Sequence, residues 1–165
     1  MCLSRGCLRK LLFYTDGQTI WDSVGTVRAS GLQGNTSSTQ SAIIVPDPAS
    51  SSRYYVFTAD GVTGGNNHVA GVRVDVSTWP TPTPIASLFT SAVPPTAGLS
   101  PTEKLTAMQH ANCIDYWVLT VVQPIPRGQQ DVGDGLGSVR VLLVTASGVQ
   151  FIGDTPTNVN IQPCW

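Results

Sequence analysis

Apolar and polar residues alternate along this chain in short runs that end at Gly, Pro, Asn or Asp, which is the two-residue period of β-strands. Val72, Val74 and Val76 alternate with Arg73 and Asp75, so residues 69–76 are predicted to be a half-buried strand. Residues 10–15 and 19–22 predict a hairpin about Asp16-Gly17, because Asp-Gly supplies the positive φ that a tight turn requires. Residues 25–40 are rich in Gly, Asn, Ser and Thr and predict a long loop. An apolar, β-branched strand follows over 41–45, stopped by Pro46 and Pro48, and the next strand is 53–58. Asp60-Gly61 and Gly64-Gly65-Asn66-Asn67 form a second loop; Pro80, Pro82 and Pro84 impose an extended connector, and 85–89 can pair only as a short edge strand.

The same pattern then starts again. Residues 104–109, 115–122, 139–145 and 149–152 read as four strands, with Ser147-Gly148 as the last turn. Tyr54, Tyr55, Val56 and Thr58 reappear as Tyr116, Trp117, Val118 and Thr120, 62 positions on. A unit of several strands cannot bury its apolar face alone and stacks on copies of itself. Segment 11–22 resembles the third and fourth strands of such a unit: Leu12-Phe13-Tyr14-Thr15 before Asp16-Gly17 matches Leu142-Leu143-Val144-Thr145 before Ser147-Gly148.

Four-stranded units around an axis are the blades of a β-propeller, and the chain holds about two and a half of them. The expected fold is therefore all-β, a β-propeller-like fragment, with a solenoid or sandwich as alternatives. The expected division is an unplaced segment 1–10, one repeat domain 11–159 (half blade 11–40, blade 41–102, blade 103–159) and an unplaced tail 160–165. Propellers use four to eight blades, so the chain is expected to be part of a longer protein or to assemble with others.

Composition narrows the function classes. Only 12% of the 165 residues are charged and 41% are hydrophobic, which excludes a disordered acidic chain and suits short strands with uncharged loops. The net charge is −1, and Arg5, Arg9 and Lys10 are too few to make a face for nucleic acid. No run approaches the ~20 apolar residues of a membrane span. Cys2 and Cys7 have the spacing of half a zinc motif, but Cys113 and Cys164 are isolated and neither His68 nor His110 has a partner at H-x₃₋₅-H spacing, so no metal site is expected. The four cysteines permit two disulfides in an exported chain, with three connectivities, or free thiols.

Candidate chemistry is sparse. His110 near Asn112 and Asp115 has the residue types of an acid/base pair, yet it lies where a strand enters a turn, which favours a structural role. Ser37, Ser38 and Ser41 lack a G-x-S-x-G elbow, and Asn35-Thr36-Ser37 is a sequon. The run 131–137 has oxygen donors and glycines but not the alternating acids or distant Glu of a calcium loop. No catalytic residue and no cofactor is assigned. Aromatic residues at matched strand positions can line a groove, so Tyr55 and Trp117, with His110, form the candidate binding surface.

Several stretches carry a family resemblance: 11–17, then Gly31-Leu32-Gln33-Gly34-Asn35 leading into 37–46, Tyr54-Tyr55-Val56-Phe57-Thr58, and above all Glu103-Lys104-Leu105-Thr106-Ala107-Met108-Gln109-His110-Ala111-Asn112 closing with Asp115-Tyr116-Trp117-Val118. Residues 11–152 resemble the propeller-like repeat region of Bacteroidota gliding-motility-associated surface proteins exported by the type IX secretion system. The resemblance implies a secreted or cell-surface location and a non-enzymatic interaction or structural role, with a protein or glycan ligand, or copies of the chain itself, as partner. It brings no catalytic residue. The competing expectations are a self-assembling subunit joined through exposed blade edges and a piece of a propeller hydrolase whose active site lies on further blades.

Overall fold

In the computed structural model, which describes residues 10–59, 69–79, 86–87, 99–124 and 138–156, the chain is all-β and forms three antiparallel sheets. The first contains β1 (Phe13–Thr15), β2 (Thr19–Asp22) and β3 (Val27–Ser30). The middle sheet contains β4 (Ala42–Pro46), β5 (Arg53–Ala59), β6 (Val69–Asp75) and β7 (Ala86–Ser87); the third contains β8 (Leu99–Gln109), β9 (Tyr116–Pro124), β10 (Ser138–Thr145) and β11 (Gly148–Pro156). Within each sheet every strand pairs with its neighbour in sequence. The cysteines at 2, 7 and 164, His68, the prolines at 80–84 and the loop 131–137 lie outside the described residues.

The hairpin at Asp16 is built by its own side chains. Thr15 Oγ1 accepts from the Gly17 amide at 3.0 Å and donates to the Thr19 carbonyl at 2.7 Å, while Asp16 Oδ1 accepts from the Gln18 and Thr19 amides, both at 2.8 Å. Gly17 has φ +94°, the conformation the Asp-Gly pair predicts. The expected loop 25–40 is in part a strand: β3 pairs with β2, and Asp22 shapes the turn between them by accepting from the Val24 and Thr26 amides. Two residues the composition marks as loop formers, Gly25 at φ +85° and Gly31 at φ +81°, bracket that strand instead. The expected half unit thus has a third strand. Further on, the Gly34 amide donates to the Gly17 carbonyl at 2.9 Å, and a Cβ on Gly34 would collide with that oxygen.

The two four-stranded sheets start and stop close to where the pattern predicts, with local differences. β6 ends at Asp75, whose carboxylate accepts from the Ser77 amide and turns Val76–Thr78 into a single 3₁₀ turn, so Val76 leaves the strand. In the last hairpin Thr145 pairs with Gly148, so the two turn residues are Ala146 and Ser147, one position earlier than expected. β8 begins at Leu99 and carries a register shift between Pro101 and Leu105, which accommodates a proline that cannot donate to the ladder.

Strand alternation sends the two faces of the middle sheet to two different neighbours. Val56 and Val74 pack with Phe13, Ile20 and Leu32 of the first sheet and its following loop. Phe13 meets Tyr54 and Trp79 edge to face at 5.3 and 5.7 Å, a preferred aromatic geometry. From the opposite face Val45, Tyr55, Phe57, Ala59 and Val69 pack against Leu105, Val118, Leu142 and Val144 of the third sheet. Fully burying a side chain such as Phe57 contributes about 2–3 kcal/mol. Polar ties join the layers: Thr39 donates to Glu103 through its amide and hydroxyl, at 3.0 and 3.1 Å, and the Ser41 hydroxyl donates to the Asp16 carbonyl at 2.7 Å. On the inner face of the third sheet, buried Arg140 forks onto Asp154 at 2.8 and 2.9 Å, a bidentate pairing that answers the desolvation of the guanidinium.

Candidate functional site

The turn from β8 to β9 is a closed network. The His110 amide donates to the Asp115 carbonyl at 2.8 Å and the Cys113 amide to the His110 carbonyl at 2.9 Å. Asn112 Oδ1 accepts from the Ile114 and Asp115 amides, both at 3.0 Å, its Nδ2 donates to Asp115 Oδ2 at 2.6 Å, and its own amide donates to His110 Nδ1 at 3.1 Å. Cys113 takes φ 60°, a left-handed position that this network holds in place. The Gln109 side chain closes the turn by donating to the Cys113 carbonyl at 2.8 Å. His110, Asn112 and Asp115 therefore shape the turn together, and the Cys113 thiol within it lies 3.8 Å from the Ala111 carbonyl.

Two of the three sequence-predicted surface residues meet here. The His110 ring lies 5.0 Å from that of Trp117, tilted at 43°. Tyr55 is elsewhere: only 3% exposed, it belongs to the core between the middle and third sheets, so its place in the predicted binding surface is corrected. The reason is its neighbour. Tyr55 and Trp117 occupy matched strand positions, but a sheet covers the face that carries Tyr55, whereas Trp117 faces away from the stack.

The face that carries Trp117 is mainly apolar, with exposed Thr106 opposite Leu119 and exposed Gln150 opposite Leu143 as polar positions. The register aligns Met108 with Trp117 and Trp117 with Leu143, then Leu119 with Val141, then Val121 with Val139. Met108 is 45% exposed and the other six are half-buried. The sequence reading missed all of these except Trp117. A signal was present: residues 141–144 are uninterrupted Val and Leu, and a strand apolar on both sides reads as covered on both faces.

Other candidates resolve into structure. Asn35 Oδ1 accepts from the Ser37 amide at 2.9 Å and its hydroxyl at 2.8 Å, which makes an Asx turn at the sequon. Among the described residues no group of three or more His, Cys, Asp or Glu could hold a metal ion, and Cys113 is an exposed free thiol. No described helix is long and apolar enough to cross a membrane. No protein-family model, curated protein or solved structure matches the chain.

Proposed function

We propose that the three sheets are blades of a propeller-like arrangement and that the chain is a non-enzymatic interaction module of an exported cell-surface protein, holding a protein partner against the outer face of the third sheet. The observation that carries this reading is that face: Met108, Trp117, Leu119, Val141 and Leu143 present aromatic and aliphatic groups beside the His110 turn. Buried aromatic and Met anchors are what protein interfaces concentrate at their centres. A glycan would need polar groups to match its hydroxyls, and the centre of this face, about Trp117, Leu119, Val141 and Leu143, is apolar, with Thr106 and Gln150 beside it. The surface location rests on the resemblance of residues 11–152 to type IX-exported proteins.

Two experiments test the reading. Protease added to intact cells of the native host should remove an epitope tag fused to the chain; a tag protected in the cytosol overturns the surface assignment. The purified chain, immobilised, should retain an envelope protein that the Trp117→Ser variant releases at least about tenfold faster, the loss expected of an anchor residue. Retention from a glycan panel instead, or equal retention by the variant, overturns the protein-binding face.

A further inference from the structure

The covered face of the middle sheet shows what fits the face of the third that no described sheet covers. Register equates Tyr55, Phe57 and Ala59 with Trp117, Leu119 and Val121, Val45 with Met108, and Gly71 with Val141. In the middle sheet those positions are sealed by the next sheet in sequence, and Phe57 and Ala59 are fully buried. The third sheet offers the same face with larger apolar side chains at Trp117, Val121, Met108 and Val141, a smaller one at Leu119, and Thr106 where the middle sheet has Ile43. Its complement is the opposite end of the stack. There the first sheet turns Tyr14, Trp21 and Val27 outward, with Tyr14 and Trp21 stacked at 5.4 Å, Tyr14 43% exposed and Val27 55% exposed. No Asp, Glu, Lys or Arg occupies the paired outward positions of either end face, so no like charges oppose their contact.

We infer that the outer face of the β8–β11 sheet binds the outer face of the β1–β3 sheet on a second copy of this chain, head to tail. This rests on the interaction-module reading and names its partner. The mode follows from the interfaces already inside the chain, where the later-facing side of one sheet always meets the earlier-facing side of the next. Repeating that step between copies joins two different surfaces, a heterologous contact that generates a closed ring or a filament. With three sheets in each chain, two copies bring six, within the four to eight that radial arrangements use.

Light scattering on the full chain across a concentration series tests this, with circular dichroism to check folding. The wild type should run as a multiple of the monomer mass. Met108→Glu and Val27→Glu, each on one end face, should each weaken self-association at least about tenfold. Mixed in equal amounts they should recover a 1:1 dimer and nothing larger, since each retains one intact face and the two faces are complementary. Should either variant fail to fold, Trp117→Ser or Tyr14→Ser takes its place. A monomeric wild type, undiminished assembly of either single variant, or a mixture that stays monomeric overturns the inference. A monomer that still retains an envelope protein leaves the module reading standing; one that retains none removes both.

Discussion

β5 and β9 carry matching residues, Tyr54-Tyr55-Val56 and Tyr116-Trp117-Val118, yet their surroundings differ. In β5 both faces are sealed, so Tyr55, Val56, Phe57, Thr58 and Ala59 are buried in succession. In β9 Val118, Thr120 and Val122 are buried, every second one of the described residues, and no described sheet lies over the other face. Identical local chemistry thus gives two burial states. What decides between them is position in the stack, a property that no window of sequence contains.

The largest expected effect exploits that difference. Phe57→Ala should destabilise the fold by about 3–5 kcal/mol, the range for emptying a large, fully buried site. Leu119→Ala, at the matched position, should cost about 1 kcal/mol because less apolar area leaves the interior. Urea midpoints at low protein concentration measure both. Equal losses would mean the outer face is as buried as the core. A Leu119→Ala cost that grows with protein concentration would point to the face being covered by association.

A second contrast is electrostatic. The inner face of the third sheet holds Arg140, paired with Asp154 and opposite Thr120, where the middle sheet has Ala70 opposite Thr58. Asp154→Ala should cost about 3 kcal/mol, since it removes the carboxylate from a buried guanidinium. The loss should be insensitive to salt, because screening acts weakly on buried pairs. A loss that vanishes in high salt would place the pair at the surface and erase the contrast.

The smaller third contrast lies in one hydroxyl. Thr120 Oγ1 donates to the Lys104 carbonyl at 2.8 Å, whereas buried Thr58 Oγ1 has no partner among the described residues. Thr120→Val should therefore cost about 1 kcal/mol and Thr58→Val should be neutral or stabilising, because it trades an unanswered hydroxyl for a methyl of similar shape. Equal penalties in thermal unfolding would assign Thr58 a partner of its own.

Strand existence was legible in the sequence where alternation and turn chemistry agreed, as in the Asp16-Gly17 hairpin and in the runs that became β4, β5, β9 and β10. β3 was not, because Val27-Arg28-Ala29-Ser30 is short and sits between glycines; its strand conformation comes from pairing with β2 and from the Asp22 turn, both tertiary. Half of the candidate site was legible too. The adjacency of His110 and Trp117 follows from their flanking one turn, but Tyr55 could not be told from Trp117 without knowing which sheet had a neighbour.

The smallest effect concerns acid and separates the ends of the stack. At Asp16 burial pushes the carboxyl up, but the Thr19 and Gln18 amides outweigh it and hold it below its ordinary value. Burial likewise opposes Asp22, where the Thr26 amide, the Arg28 side chain and the Val24 amide prevail. Asp75 is lowered chiefly by the Ser77 hydroxyl and amide, with the Ser52 hydroxyl and Arg53 charge adding to them against desolvation. Since each carboxyl binds its proton less readily folded than unfolded, each stabilises the fold above about pH 4, and that contribution is lost as pH falls through the lower folded-state values. Asp16 lies in a turn of the first sheet, and Asp22 and Asp75 end strands of the first and middle sheets beside turns. On acidification below about pH 4 the amide NMR signals of Gln18, Thr26 and Ser77 should shift before those of Val118 and Leu142, and Asp22→Asn should flatten the early part of the acid transition. Earlier loss at Val118 and Leu142 would mean that the third sheet, with its uncovered face, is the weaker end whatever the carboxylates contribute.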